Sequence, residues 1–451
     1  MIDREQLNRL LDRERADFAA RNPRSAAAHE DATNLFGRVP MTWMNKLAGG
    51  FPLYLATARG ARVADLDGNE YVDLCLGDTG AMAGHSPPAV VEAVRRRLAD
   101  EGGLTAMMPT EDAAWVGAEL ARRFGVPYWS FSLTATDANR WAMRLARALT
   151  DRAKILFNSY CYHGSVDESL IVLSAGRPAS RPGNVGAPYN VLQTSRVAEF
   201  NDLDGLEREL AHGDVAAVLM EPALTNIGIV LPESGYLDGV RELTRTYDTL
   251  LINDETHTFS AGPGGATGLW RLSPDVVTIG KAIAGGVPCG AYGLSASLAD
   301  RALGRADLDL VDMGGVGGTL AGNPVSMAAA RACLGEVLTA AAFAHMAALT
   351  TRLTDGLRAA IGTHRLPWSV SQLGARVEYR FADPAPRNGT ESNAAADPEL
   401  DDYLHVFAAN RGVLLTPFHN MALTCPDTTE ADVDLYRDVF AEALASLNGR
   451  S

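Results

Sequence analysis

Two short apolar runs in this chain each deliver one residue able to do chemistry. Leu250-Leu-Ile-Asn-Asp254 reads as a buried strand with Asp254 at its carboxyl end, and Val276-Val-Thr-Ile-Gly-Lys281 as a second with Lys281 just past its end. An acid and an amine at neighbouring strand ends are the parts of covalent amine chemistry. Lys46, Lys154 and Lys281 are the only lysines among 40 Lys and Arg residues, so arginine supplies nearly all of the generic positive charge. Arginine could not stand in for Lys281 as an imine-forming nucleophile, because a guanidinium stays protonated.

Three further stretches carry polar groups that such chemistry could use. Leu133-Thr-Ala-Thr-Asp-Ala-Asn139 sits where a strand gives way to a helix. Free backbone N–H groups there, with the hydroxyls of Thr134 and Thr136, make either a phosphate site or an ordinary Thr/Asp cap. Tyr160-Cys-Tyr-His-Gly164 offers an aromatic ring and an imidazole beside a glycine, either to stack on a planar cofactor or as plain packing. A carboxylate as buried as Asp254 needs a positive partner, which a protonated pyridine nitrogen would supply. Together the parts match what pyridoxal phosphate requires: an imine-forming lysine, an acid for the ring nitrogen, a phosphate cup and a stacking ring.

The elements that must position these groups read as an α/β fold. Trp129-Ser-Phe-Ser-Leu-Thr134, Ile155-Leu-Phe157, Val215-Ala-Ala-Val-Leu-Met220, Thr249 to Asn253 and Val276 to Ile279 are apolar runs separated by polar or helical segments, which predicts a mostly parallel sheet wrapped by helices. Asp137 to Leu149 has the spacing of one helical face, with Ala138, Trp141, Ala142 and Leu145 on it. Residues 1 to about 22 read as a helix ended by Asn22-Pro23, followed by irregular chain to Phe51-Pro52; Leu53 to Thr57 and a hairpin turning at Asp67-Gly-Asn69 read as strands. After Pro324 a long alanine-rich helix is expected, then a strand at Ala375–Phe381, a Pro/Asn/Ala-rich loop and a helix at Glu399–Asn410. The expected division is 1–57, an N-terminal segment contributing to the small domain and the active-site entrance; 58–330, a large domain; and 331–451, a small domain.

With 451 residues, 47% hydrophobic and 21% charged, the composition is that of an ordinary globular protein. A formal charge of −15 argues against nucleic acid or an anionic membrane as the main partner. Five widely spaced cysteines without a C-x-x-C pair suggest reduced thiols in a cytoplasmic protein, and no apolar run approaches the roughly 18 residues of a membrane span. The stretches Gly262-Pro-Gly-Gly-Ala-Thr-Gly268 and Gly314-Gly-Val-Gly-Gly318 do not fit a dinucleotide-binding G-x-G-x-x-G. A metal hydrolase built on Asp254, Glu255 and His257 is a weaker alternative, and a non-catalytic regulatory module lacks the basic DNA-binding domain that would accompany it.

On these motifs the chain resembles the class III, fold type I pyridoxal-phosphate aminotransferases, and within them the glutamate-1-semialdehyde aminomutase branch, from about Pro52 to Thr424. Leu133 to Asn139 resembles the family's Asn-Ser-Gly-Thr-Glu-Ala-Asn phosphate loop, and Tyr162-His-Gly164 its stacking Tyr-His-Gly. Glu221-Pro-Ala-Leu-Thr-Asn-Ile-Gly228 resembles Glu-Pro-x-x-Gly-Asn-x-Gly, whose asparagine, here Asn226, lies near the cofactor's phenolic oxygen. Asp254-Glu255, Lys281 and Gly318-Thr-Leu-Ala-Gly-Asn-Pro324 fall on the ring-nitrogen acid, the Schiff-base lysine and the Gly-Thr-x-x-Gly-Asn-Pro motif. The resemblance implies a large domain with a mostly parallel seven-stranded sheet and a smaller α+β domain. It also implies pyridoxal 5′-phosphate as cofactor, held by Thr134, Ala135, Thr136, Tyr162, His163, Glu221, Asn226, Asp254, Thr256 and Lys281, and a homodimer in which Thr319 reaches the partner subunit's phosphate.

Departures from the family's pattern bear on the substrate. Ala135 replaces the phosphate-loop glycine, Thr256 a valine or isoleucine under the ring, and His257-Thr-Phe-Ser-Ala261 a segment ending in Gly-Phe-Arg. Trp43 stands where the aminomutase has the arginine that holds its substrate's carboxylate, and Asp78 where that branch has an aromatic residue. Trp43 and Asp78 either read an apolar part and a second amine or hydroxyl of the substrate, or merely close the pocket and hold structure. Arg376, His419 and Asn420 could supply a carboxylate site. The expected activity is a ping-pong aminotransferase in which Lys281, once displaced, shuttles a proton and Asp254 keeps the ring nitrogen protonated; an aminomutase, racemase or decarboxylase would use the same pair.

Overall fold

A computed structural model describes residues 2–305 and 318–449, which form two compact units. One comprises Pro87–Phe343 with Pro386–Ala394, the other Met1–Ser86, Ala344–Ala385 and Ala395–Ser451. Of the glycine-rich stretch at 314–318, only Gly318 lies within the described residues.

The first unit is built on a seven-stranded sheet. Its order is Tyr128–Ser132, Gly290–Leu294, Val276–Ile279, Leu250–Asp254, Val215–Met220, Lys154–Asn158, Ser195–Ala198. All neighbouring pairs are parallel except the two made by Gly290–Leu294, which runs antiparallel to both its neighbours. Val215–Met220 and Leu250–Asp254 are buried at every position, as expected of central strands covered on both faces. The parallel pairing of Asp254 with Thr278 brings the two chemistry-bearing strand ends side by side. Two strands of the sheet were not apparent in the sequence. Gly290-Ala-Tyr-Gly-Leu294 contains two glycines and Ser195-Arg-Val-Ala198 two polar residues, so neither presents an apolar run.

The helix Ala135–Thr150 packs beside these strands through Ala138, Trp141, Ala142 and Ala146. Asp151, in the left-handed conformation, ends it. Past residue 323 the expected single long helix is instead Pro324–Ala332, a wider turn at Cys333–Val337 and a second helix Ala340–His364. Composition alone does not reveal this break, because alanine is abundant on both sides.

The other unit holds a four-stranded sheet, Leu55–Arg59, Arg62–Asp65, Glu70–Asp73 and Val413–Leu414, and a three-stranded antiparallel sheet of Ser369–Leu373, Arg376–Arg380 and Met421–Leu423. Its core joins Leu7, Leu11 and Phe18 of the first helix to Tyr403 and Phe407 of Pro398–Asn410 and Tyr436 and Phe440 of Glu430–Leu447. Pro23 opens a second helix, Pro23–Asp31, where irregular chain was expected; proline is tolerated at a first helical position.

The boundaries also differ from the expected 57/58 and 330/331. Strands between 55 and 73 join the terminal segments because Val413–Leu414 adds to Glu70–Asp73 in parallel. Pro386–Ala394, within the Pro/Asn/Ala-rich loop, belongs to the first unit. Arg387 pairs with Glu233, Asn201 donates to the Arg387 carbonyl at 2.8 Å, and the Thr390 and Ser392 hydroxyls donate to Glu199 and to the Ile227 carbonyl.

Candidate active site

Asp254 is the most heavily bonded carboxylate at the carboxyl end of the sheet. It is 3% exposed. Oδ2 accepts from His163 Nδ1 at 2.9 Å and from Asn139 Nδ2 at 2.8 Å, while Oδ1 accepts from the Thr256 backbone N–H at 3.0 Å and its hydroxyl at 2.6 Å. Burial alone would raise this carboxyl, but His163, Thr256 and Asn139 outweigh it and hold the group at about 2. His163 is shifted the other way. Burial opposes its protonation, yet Cys161 and Asp254 raise the imidazole well above its usual range. The result is a fixed negative charge at the end of the central strand.

Two of these supports went unrecognised in the sequence. Asn139 was visible only as the last residue of the Leu133–Asn139 stretch; it is fully buried, and Thr278 donates to its Oδ1 at 2.6 Å, which leaves its amide aimed at Asp254. A polar residue between Ala138 and Trp141, on the buried side of the helix, is the signal that could have found it. Thr256, read as a more polar surface under a ring, in fact hydrogen-bonds the acid itself. Thr256→Val should keep the shape and lose one bond to a charged group, lowering stability by about 2 kcal/mol in urea unfolding.

Lys281 follows strand Val276–Ile279 and takes a left-handed backbone, φ +51°. Left-handed geometry is costly for a side chain with a Cβ and persists where its surroundings impose it, commonly at functional sites. Its Nζ lies 2.7 Å from Nε2 of His257. Gly280 is extended, so space rather than φ requires glycine: a Cβ there would lie 2.9 Å from Ala135 N and 3.0 Å from Ala135 Cβ. The lysine thus enters the site directly beneath the start of helix Ala135–Thr150. Gly280→Ala must push that helix start or Lys281 aside, and should weaken cofactor retention about tenfold or more, measured by visible-absorbance titration of the cofactor-free protein.

Thr134 caps that helix: its Oγ1 accepts from Asp137 N at 3.1 Å and donates to Asp137 Oδ2 at 2.9 Å. Ala135 and Thr136 begin the first turn, whose N–H groups lack intrahelical acceptors. Thr136 Oγ1 accepts from Ser165 N at 3.3 Å, and a Cβ on Gly164, which has φ +80°, would collide with that hydroxyl. This contact ties the Tyr162-His163-Gly164 turn to the helix start. Tyr162 is 41% exposed, His163 buried. Asn226 Nδ2 reaches the Tyr160 carbonyl at 3.5 Å, and buried Glu221 accepts from the Thr225 hydroxyl. Thr319 is exposed in the turn that Ala321 N–H closes on the Gly318 carbonyl at 3.0 Å.

The expected substrate residues all lie in the other unit. Trp43 is half-buried and packs edge-on against Phe418, ring centres 5.3 Å apart, and Phe418 in turn lies 4.9 Å from the His419 ring. Phe418 was not singled out in the sequence. Asp78 has a left-handed backbone, φ +50°. Arg376 has no exposed surface and donates to the Thr79 hydroxyl; His419 Nδ1 is 3.7 Å from Glu378 Oε1; Asn420 bridges His405 and Asp401. The trio proposed as a carboxylate site is thus engaged inside its own unit.

Asp254, Glu255 and His257 do not converge on one point. Glu255 accepts from the Thr258 hydroxyl and the Ala266 and Thr267 N–H groups, and His257 meets Lys281. Among the described residues no group of three or more His, Cys, Asp or Glu is placed to hold a metal ion.

Residues 44–442 match the family model for Aminotransferase class-III. The chain belongs to that family. It is 35% identical over 415 residues to a glutamate-1-semialdehyde 2,1-aminomutase of Chloroflexus aggregans, covering 88% of this chain and 92% of that one. A crystal structure of a glutamate-1-semialdehyde-aminomutase from Pseudomonas aeruginosa superposes with TM-score 0.96 at 48% identity over 99% of both chains, and a lysine-to-alanine variant of it was solved in complex with PMP. An omega-transaminase from Sphaerobacter thermophilus superposes at 0.85 with 30% identity over 94% of this chain and 98% of that one. The fold is that of the fold type I enzymes, and pyridoxal phosphate is this class III chain's cofactor.

The residues fit that group. Asp254 is ionised and fixed in place as a counter-charge for a ring nitrogen, the only lysine in the site follows a glycine with no room for a Cβ, and a helix start with free N–H groups lies against it. When bound, the cofactor withdraws electrons from the substrate's amine-bearing carbon.

Proposed function

We propose that this enzyme moves an amino group by an intramolecular shift within one small molecule, the aminomutase form of class III chemistry. The observation that carries this reading is the 48% identity, over 99% of both chains, to a structure described as a glutamate-1-semialdehyde-aminomutase. Lys281 would bind the cofactor, hold the proton taken from the substrate carbon and return it at the other; Asp254 would keep the ring nitrogen protonated.

A second reading, an intermolecular aminotransferase, is supported by Trp43. An indole packed on Phe418 gives an apolar wall where the resemblance calls for a carboxylate-binding arginine. That favours an amine or amino acid donor with an apolar part. Incubating the holoenzyme with glutamate-1-semialdehyde alone, and separately with amine donors plus pyruvate or 2-oxoglutarate, separates the two. Isomerisation without a second amino product supports the first reading; alanine or glutamate formed stoichiometrically with loss of the donor's amine overturns it.

We also propose a homodimer in which Thr319 of each subunit reaches the other's phosphate. Light scattering gives the stoichiometry. Mixing Lys281→Ala with Thr319→Ala subunits would give hybrid dimers with one fully intact site, whose recovered activity tests the sharing.

A further inference from the structure

The contact between Lys281 Nζ and His257 Nε2 has a specific chemical meaning. At 2.7 Å two nitrogens share one proton: either an ammonium donates to the imidazole lone pair, or an imidazole N–H donates to the amine lone pair. Two protonated groups could not hold that distance, because both would be donors of like charge. The proton can cross by breaking one N–H bond at Nζ and forming one at Nε2, which moves a charge without creating one.

The imidazole is held for this. His257 is 8% exposed and begins the short turn Thr258–Ala261, which is pinned on both sides. Glu255 before it is fixed by three donors, and Phe259 after it is fully buried against Phe124 and Phe343, with its N–H on the Glu255 carbonyl at 2.9 Å. The other charged groups on the elements packed there have their own partners: Asp254 with His163, Glu255 with Thr258 and Thr267, Arg123 with Glu119 and the Leu334 carbonyl.

We propose that His257 is a positioning and proton-accepting partner of Lys281, taking the ammonium proton so that the amine can bond to the cofactor and orienting that amine whenever it is free. In the attachment step Lys281 would first pass one proton to Nε2; its lone pair would then bond to the aldehyde carbon, and the aldehyde oxygen would leave as water with the two protons that remain on the amine nitrogen. This rests on Lys281 being the cofactor's lysine and is independent of which of the two reactions the enzyme runs.

The test measures attachment rather than turnover. Cofactor-free protein is mixed with pyridoxal phosphate in a stopped-flow instrument and the visible band is followed. His257→Ala should attach on the order of 10²-fold more slowly, added imidazole should restore the rate in proportion to its concentration, and His257→Gln, which keeps a hydrogen-bonding group, should fall between. Because the chain has three lysines, protein labelled with ¹⁵N at the lysine Nζ gives three signals, assignable with Lys46→Arg and Lys154→Arg; only that of Lys281 should move in His257→Ala. Attachment at the wild-type rate, a slow variant that imidazole does not rescue, or an unmoved Lys281 signal would each overturn the proposal. Failure of the underlying lysine assignment would look different: the visible band would survive in Lys281→Ala.

Discussion

Lys281→Ala should bind no cofactor covalently, lack the visible band of the wild-type holoenzyme, and lose on the order of 10⁴-fold or more in kcat/KM. The size of the effect follows from what the side chain does. The one other lysine of this unit, Lys154, lies at the amino end of its strand, paired with Asp214. Lys281→Arg should fare no better, since a guanidinium keeps its proton and cannot form the carbon–nitrogen bond. Stability should change by about 1 kcal/mol or less, because alanine keeps the left-handed backbone with its Cβ and the substitution removes one hydrogen bond to His257. Full activity in the alanine variant would remove Lys281 from the mechanism altogether.

How much of this site the sequence disclosed depends on how far each interaction reaches along the chain. Asp254 and Lys281 were legible because each follows a short, mostly apolar run, Leu250–Ile252 or Val276–Ile279, and a buried central strand leaves few other readings. The sheet around them was legible for the same reason, except where glycine or polar residues broke the apolar run, as in Gly290–Leu294 and Ser195–Ala198. Asn139 and Asp254 are 115 positions apart, and no local periodicity encodes a hydrogen bond over that distance. His257 was noticed as a departure from a pattern and as a possible metal ligand, and its contact with Lys281 depends on the register between two parallel strands. Domain limits failed for a comparable reason: a two-residue strand at 413–414 and the segment 386–394 decide them, and both are too short to register as pattern.

Asp254→Asn should damage stability and catalysis together, for one structural reason. All four hydrogen bonds to this carboxylate come from donors, two at each oxygen. An asparagine matches them at one position only. Its NH₂ must face either the His163 and Asn139 groups or the Thr256 N–H and hydroxyl; the hydroxyl and a neutral His163 protonated at Nε2 can turn to accept, but the Asn139 amide and the Thr256 N–H cannot. A buried donor is then left facing another, and the His163 imidazole loses the charge that raised it. Breaking a buried pair in this way costs about 3 to 5 kcal/mol, readable as a lower midpoint in denaturant unfolding of the cofactor-free protein. The acid limb should change as well. Asp254 is depressed from 3.8 to about 2 on folding, so its contribution is present above pH about 4 and is lost as pH falls toward 2, amounting to roughly 2 to 3 kcal/mol; the asparagine variant should lack that step. With the cofactor bound, the neutral amide gives the ring nitrogen no counter-charge, and kcat should fall on the order of 10³-fold. Asp254→Glu restores the charge but not its position, so it should recover part of the acid step and little of the rate. If Asp254→Asn unfolds within about 1 kcal/mol of wild type, the four bonds are not the restraint described. If it keeps wild-type kcat, the carboxylate is structural, and the ring nitrogen draws its proton from elsewhere.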